Sequence, residues 1–254
     1  MTLLSAPLEL VGNWGASPPP DVAVVISRMR EVSLSGVRLL SDQQPDKLRI
    51  DEHSSGPPAI WLHSDPAKTA WIIVDVGPLD WCKLAYQFGH ELGHVLCNSW
   101  GPAAKPAPPC QWLEEALVEA FSIRGLGLLA TSWEANPPFA GNASFAKFIR
   151  EYRSHLVEKY KKASWQDSSN DIASWFRSNR NALEHTKGDP LVLTLLDEEE
   201  SDSARVEDLG AVNRWPARSA VPIQEYLNSW QTSCDEIGAS GRLPMRLRSL
   251  LQLA

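Results

Sequence analysis

The chain has 254 residues, of which 43% are hydrophobic and 22% charged, an ordinary globular composition that allows a sizeable buried core. The formal net charge of -7 argues against nucleic acid as a partner, because an acidic surface repels a phosphate backbone. The longest apolar stretches, Trp71–Val76 and Leu126–Ala130, are too short to cross a bilayer, so we expect no membrane partner.

The cysteines and the N-terminus bear on the cellular compartment. Cys82, Cys97, Cys110 and Cys234 form no CxxC pair and are typical of reduced thiols. The first residues lack the basic start and long apolar run of a secretory signal. We therefore expect a cytoplasmic protein. Nothing in the sequence predicts its oligomeric state.

The first third of the chain predicts one helix and a small sheet. Pro18–Pro20 end a loose segment over residues 1–20, and Asp21 stands where a helix N-cap would. Short runs of branched and aromatic residues follow, separated by Gly and Pro, and they predict a mostly antiparallel sheet. These runs are Val37–Leu40, Lys47–Ile50, Ala59–His63 and Trp71–Val76.

Helical patterns begin at Asp80, where apolar residues start to recur at three and four positions. This period predicts a helix from Trp81 to about Asn98, a second from Gln111 to Ala130, and a third from Asn142 or Ser144 to about Lys162. Weaker helical patterns follow in the last third of the chain. They lie at Asp171–Leu183, Leu191–Leu196, Val221–Ile237 and Leu243–Leu253.

The motif His90-Glu91-Leu92-Gly93-His94 lies inside the first of these helices and has the form HExxH. Residues four apart on a helix share one face, so His90 and His94 can bind the same metal ion. Glu91 is offset from both and can reach a metal-bound water as general base. Two imidazoles facing each other without a metal would leave buried nitrogens that need partners.

A catalytic zinc site needs a third protein ligand, and the second helix is the best source. Glu115 and Glu119 share one face of this helix beside apolar residues, where carboxylates are costly to bury without a partner. We expect Glu115 to bind the metal and Glu119 to accept the outer N–H of a ligating histidine. Glu114 competes for the ligand role, but it points about 100° away from Glu115. The alternative is a plain amphipathic helix with a solvated acidic stripe.

The motif and the downstream glutamate resemble the gluzincins, the clan of thermolysin-like peptidases. Twenty residues separate His94 from Glu115, similar to the spacing of the clan, and residues 112–119 resemble its WLxEGxAE form, with Ala116 in place of glycine. A narrower resemblance is to small single-domain gluzincins of the ImmA/IrrE type, although their leucine-methionine-proline ending is absent. The resemblance implies one zinc ion held by His90, His94 and Glu115, with Glu91 as base and Glu119 behind the ligands.

The fold class implied is α+β and zincin-like. We expect a small, mostly antiparallel sheet packed on the HExxH helix, followed by a mainly helical C-terminal portion. The predicted boundaries are a loose segment over 1–20, a metallopeptidase core over 21–165 and a helical portion over 166–254. That last portion is either separate or part of the same domain.

Two further parts of a peptidase site have only candidate residues. A hydrogen-bond donor for the oxyanion is expected on the third helix, with Tyr152, His155 and Tyr160 as candidates. An edge strand that binds an extended peptide is expected in Ala59–His63 or Trp71–Val76.

The functional hypothesis is therefore a zinc metallopeptidase that acts on a peptide or protein substrate. The alternative is a weakly active or inactive binding or regulatory module that keeps the same fold. Glu91 favours catalysis, because a purely structural zinc site fills all four positions and needs no general base. Hydrolysis of a non-peptide amide is a third reading that the sequence leaves open.

Overall fold

The computed structural model describes residues 2–53, 56–63, 67–104, 110–163, 189–216 and 221–253. Within them the chain is α+β, as predicted, with four strands and eight α-helices. The strands are β1 (Leu8–Gly12), β2 (Lys47–Glu52), β3 (Ala59–Ile60) and β4 (Thr69–Val74). The helices are α1 (Pro19–Ser33), α2 (Trp81–Leu96), α3 (Cys110–Ala135), α4 (Phe145–Ala163), α5 (Val192–Ser201), α6 (Ser203–Glu207), α7 (Ile223–Ile237) and α8 (Arg242–Leu251), with a 3-10 helix at Asp208–Ala211 between α6 and α7.

The sheet has the strand order β1-β2-β4-β3 and is mostly parallel. Strand β2 pairs in parallel with β1 and with β4, and only β3 runs antiparallel to its neighbour β4. The prediction of a mostly antiparallel sheet is therefore wrong. Alternating apolar runs identify strands, but strand direction depends on the path of the connections, and α1 supplies the crossover that makes β1 and β2 parallel.

Three details of the N-terminal prediction also need correction. Strand β1 lies inside the segment 1–20 that was expected to be loose. Helix α1 begins at Pro19, so Asp21 belongs to its first turn and Pro18 is the N-cap, which fits the preference for proline at the start of a helix. Val37–Leu40 forms no strand. Instead, Arg38 donates hydrogen bonds to Glu207 from its backbone N–H at 3.1 Å and from its guanidinium at 2.7 Å.

The predicted helices agree more closely with the structure. The three helices expected between residues 81 and 162 are α2, α3 and α4, and α3 continues five residues further, to Ala135. The patterns at Leu191–Leu196, Val221–Ile237 and Leu243–Leu253 correspond to α5, α7 and α8. The pattern at Asp171–Leu183 lies outside the described residues. None of the described helices combines the length and apolar character needed to span a membrane.

One hydrophobic cluster includes buried residues from both sides of residue 166. Phe88 and Trp112 belong to it, and so do Tyr226 and Trp230 from α7. The boundary between a core over 21–165 and a portion over 166–254 stays a prediction, but the described parts of both bury side chains in this common cluster.

Helices α2 and α3 approach each other closely at Gly93. A Cβ atom added to Gly93 would lie 2.8 Å from Val118 Cβ and 3.2 Å from Val118 Cα. Such distances are shorter than carbon atoms tolerate without moving the backbone. The absence of a side chain at Gly93 therefore sets how near the HExxH helix comes to α3.

We predict that Gly93→Ala lowers the free energy of unfolding by about 1–3 kcal/mol, because the extra methyl group overpacks the interface between α2 and α3. Urea denaturation measures the change. Gly127→Ala on α3 is the matched control, since its added Cβ would meet the flexible end of Arg153 at 3.1 Å instead of backbone. Equal loss of stability in the two variants would contradict the close-packing explanation.

Glu199 on α5 is a fully buried carboxyl with no hydrogen-bond partner among the described residues. Burial raises its pKa well above the usual value, and the nearby Arg124 guanidinium only partly opposes this effect. A raised folded-state pKa means that folding favours the protonated acid. The stability cost is therefore absent below the pKa of the unfolded chain and grows as the pH rises above it.

We predict that Glu199→Gln is more stable than the wild-type chain at pH 8 and that this difference shrinks towards pH 4. The glutamine resembles the protonated acid but cannot ionise. Urea unfolding at several pH values measures the difference, and Asp197→Asn, at an exposed position on the same helix, is the control. A difference that stays constant with pH would show that Glu199 does not carry this linkage.

Candidate metal centre

Helix α2 presents His90, Glu91 and His94 to one cleft. The helix begins after Asp80, whose side chain accepts a hydrogen bond from Lys83 N–H at 3.1 Å and caps the first turn. The two imidazole rings have their centres 5.1 Å apart and meet edge to face. Glu91 is 3% exposed, although it lines the cleft. The helical period thus places two ligand-type side chains and one buried carboxyl together.

Helix α3 brings Glu115 to the same point. One carboxylate oxygen of Glu115 lies 3.2 Å from Nε2 of His90, and the other lies 3.6 Å from Nε2 of His94. One ligand atom from each of these three residues falls within 4.8 Å of the other two. The structure therefore brings together the three side chains that the sequence predicted as metal ligands.

A separate carboxylate lies behind each histidine. Nδ1 of His90 is 2.9 Å from Glu119, which matches the role expected for that residue. Nδ1 of His94 is 2.8 Å from Glu114. The sequence analysis gives Glu114 as a competitor of Glu115 for the role of metal ligand. In the structure the two carboxylates face different nitrogens of the His94 ring, Glu114 facing Nδ1 and Glu115 facing Nε2. The angle of about 100° between neighbouring residues allows both contacts.

The three candidate oxyanion donors on α4 are not among the residues that line the cleft in front of His90, His94 and Glu115. Tyr86 on α2 donates to both oxygens of Glu119 at 2.8 and 2.9 Å. Burial and the neighbouring Glu119 carboxylate raise the pKa of the Tyr160 hydroxyl. Tyr152 packs against Tyr86 with ring centres 5.9 Å apart, and His155 is exposed. Tyr86 therefore supports Glu119 on the Nδ1 side of His90, and Tyr160 lies near the same carboxylate.

Four residues around this centre were missed as supports or were given another role. Tyr86 and His90 are four apart on α2, so their helical spacing could have identified Tyr86. Glu114 could have been assigned from its position beside Glu115. Asn213 donates to Glu114 at 2.7 Å and Tyr226 donates to Asn213 at 2.7 Å, and no sequence signal links these two to the motif.

The carboxylates and imidazoles shift each other's pKa. Burial alone would lower the pKa of His90, but hydrogen bonds to Glu115 and Glu119 raise it to about 10. Burial likewise opposes the charged form of His94, yet Glu115 and Glu114 raise its pKa well above the usual value. Burial would raise the pKa of Glu115, but the two imidazoles lower it far below the usual value. The carboxylates around the two imidazoles therefore favour a positive charge at the centre of this group.

The pKa of Glu91 is shifted in the opposite direction to the pKa values of Glu115 and Glu119. Burial raises the pKa of Glu91, and the neighbouring His90 and His94 only partly reduce this shift. The pKa of Glu91 is thus shifted in the direction that a general base working near neutral pH requires.

The positions of the N–H groups on the two histidines show whether a metal ion is compatible with the site. A neutral imidazole has one N–H, and the contacts to Glu119 and Glu114 require it on Nδ1, which leaves a lone pair on Nε2. Both Nε2 atoms nevertheless face the carboxylate of Glu115. Either an extra proton on each ring or a shared cation satisfies this arrangement. Tetrahedral zinc at its usual bond lengths separates its ligand atoms by about 3.4 Å. The spacings of 3.2 and 3.6 Å, which involve different oxygens of Glu115, are near this value, and one atom from each of the three residues lies within 4.8 Å of the other two.

The cleft in front of His90, His94 and Glu115 has a volume of about 380 Å³ and is bordered by strand β3. Ala59 and Ile60 of β3 and Leu62 beyond it line the cleft. Strand β3 is at the edge of the sheet, whereas β4 lies between β2 and β3. Of the two segments expected to bind an extended peptide, Ala59–His63 therefore contains an edge strand and Trp71–Val76 does not.

We predict that Glu114→Gln weakens zinc binding by about 10–100-fold, because a neutral amide is a poorer partner for the Nδ1–H of His94 than a carboxylate. Competition with a chromogenic chelator measures the dissociation constant. Glu134→Gln, an exposed position on the same helix, is the control. Unchanged affinity in Glu114→Gln would show that the contact with His94 does not tune the site.

Comparison of the chain with protein-family models, with curated proteins and with solved structures finds no match.

Proposed function

We propose that the chain is a zinc-dependent metallopeptidase of the gluzincin type with a zincin-like fold. In this proposal His90, His94 and Glu115 hold one zinc ion, and Glu91 is the general base. The observation that carries the proposal is the pairing of both Nδ1 atoms with separate buried carboxylates while both Nε2 atoms converge on Glu115. A divalent cation satisfies the lone pairs that this arrangement directs to one point.

The ligand set favours a catalytic over a structural zinc site. The group of metal-binding side chains found among the described residues has three members, and structural zinc sites use four, most often cysteines. The three members also border an open cleft, so the fourth position has access to water and substrate. Glu91 lines the same cleft but is not one of the three.

A zinc ion held here would lower the pKa of a bound water to about 7 and polarise a substrate carbonyl. Glu91, which lines the same cleft, would accept a proton from the attacking water and pass it to the leaving amine, and the direction of its pKa shift suits this role. Glu119 and Glu114 keep the Nδ1–H bonds of the histidines and thereby hold the Nε2 atoms towards the centre.

The substrate that we propose is a peptide or protein in an extended conformation. The outer edge of β3 offers backbone groups to an added strand, and residues 59–62 border the cleft. Bound in this way, a peptide bond would lie beside the zinc ligands. A cytoplasmic location stays part of the proposal and depends on the sequence alone.

We predict that Glu91→Gln retains zinc but loses peptide hydrolysis by at least about 10²-fold, because it keeps the shape of Glu91 and removes the base. Metal analysis and a fluorescent peptide library measure the two quantities. Glu151→Gln on the surface of α4 is the control, and His90→Ala is the variant expected to lose zinc.

Three results would count against parts of this proposal. A wild-type chain that binds no zinc would overturn it entirely. Equal hydrolysis by Glu91→Gln and the wild type would remove Glu91 from the mechanism. Bound zinc without hydrolysis of any library peptide would favour the binding or regulatory module instead.

A further inference from the structure

The carboxylate of Glu114 joins the metal centre to the C-terminal portion of the chain. One of its oxygens contacts Nδ1 of His94 at 2.8 Å, and the other accepts a hydrogen bond from the Asn213 amide at 2.7 Å. Glu114 is 4% exposed and Asn213 6% exposed, so water has little access to either. Both oxygens of a buried carboxylate are therefore held by protein groups.

The Asn213 amide has hydrogen-bond partners on both of its sides. The amide nitrogen also donates to Ser99 Oγ at 3.0 Å, which accounts for its second N–H. The amide oxygen accepts from the Tyr226 hydroxyl at 2.7 Å. A flipped amide would direct its oxygen at Glu114, and an ionised carboxylate can only accept, so Asn213 must turn its N–H side to Glu114. The Tyr226 hydroxyl then donates to the amide oxygen and holds the opposite side of the amide in place.

The backbone that carries Asn213 is attached to the end of the HExxH helix. Asn98, just beyond α2, donates to the carbonyls of Gly210 at 2.9 Å and Val212 at 2.7 Å. Ser41 in turn donates to the amide oxygen of Asn98 at 2.6 Å. Asn213 itself has φ of 61°, a left-handed conformation that asparagine tolerates better than most residues. The loop is thus fixed relative to α2, and its amide side chain is fixed relative to Glu114.

We infer that Asn213 and Tyr226 are positioning residues of the metal centre, which act on His94 through Glu114. The zinc part of this inference rests on the proposed function. Without the Asn213 donor, one oxygen of Glu114 loses its partner, and the carboxylate can rotate away from His94. Nε2 of His94 would then no longer be held towards His90 and Glu115. Contacts of this kind behind a ligand typically change metal affinity by about 10–100-fold.

Two variants test the inference without forcing the backbone. Asn213→Gly removes the amide and accepts the positive φ, and Tyr226→Phe removes one hydroxyl while keeping the ring that packs against Trp215. We expect zinc affinity, measured by chelator competition on the full chain, to fall about tenfold in Asn213→Gly. A smaller loss in the same direction is expected in Tyr226→Phe.

A second readout separates positioning from a general loss of structure. In ¹⁵N-imidazole NMR spectra of the metal-free chain, we expect the Nδ1–H resonance of His94 to shift in both variants while that of His90 stays in place. Ser240→Ala is the control, because Ser240 belongs to the same C-terminal portion and donates to the buried Asp208 at 3.0 Å instead of to the centre. It should change stability without changing zinc affinity or the His94 signal.

The outcomes distinguish this inference from the proposed function. A wild-type chain that binds no zinc defeats the proposed function, and the His94 resonance then still decides whether Asn213 and Tyr226 position that ring. Folded variants with wild-type zinc affinity and an unshifted His94 signal overturn the positioning role. Equal effects in Ser240→Ala would overturn it as well, since they would reflect the stability of the C-terminal portion.

Discussion

The contact between α2 and α3 at Gly93 and Val118 is the constraint on which the centre depends. It brings two helices near enough for side chains of only moderate length to meet between them, with histidines from one helix and carboxylates from the other. A side chain at Gly93 would act as a spacer, and even a shift of a few tenths of an ångström would alter the distances from Glu115 to both imidazoles. The glycine of the motif thus sets the geometry although it has no chemistry of its own.

The centre also concentrates charge in a place with little water. Glu91, Glu114, Glu115 and Glu119 surround two imidazoles, and three of these carboxyls are no more than 4% exposed. Such a group is tolerable only if cations or donors neutralise it, because burying unpaired carboxylates is costly. The protein supplies donors from Tyr86 and Asn213, and the imidazoles and a bound cation would supply the rest. The hydrogen bonds from Tyr86 and Asn213 therefore help to stabilise this concentration of buried carboxylates.

The sequence predicted those parts of the structure that depend on local spacing. The period of α2 identified the shared face of His90 and His94, and the period of α3 identified Glu115 and Glu119, because side-chain direction in a helix follows from residue number. Strand direction and the role of Asn213 were beyond reach. Both depend on how distant segments return to each other, as when α1 carries the chain from β1 back to β2. The position of Glu114 was within reach, since a ring with two nitrogens can use two neighbouring carboxylates.

The supports of the two histidines come from different parts of the chain. His90 is held through Glu119 and Tyr86, both within residues 86–119, whereas His94 is held through Glu114 by a loop and a helix after residue 208. A chain that ended before α5 would retain His90, His94 and Glu115 but would keep the hydrogen-bonded support of His90 only. Without the later helices, the His90 ring would stay fixed by Glu119, whereas Glu114 would lose Asn213 and the His94 ring would be freer to rotate. The segment after residue 208 therefore fixes the orientation of His94, although none of its residues belongs to the His90, His94 and Glu115 group.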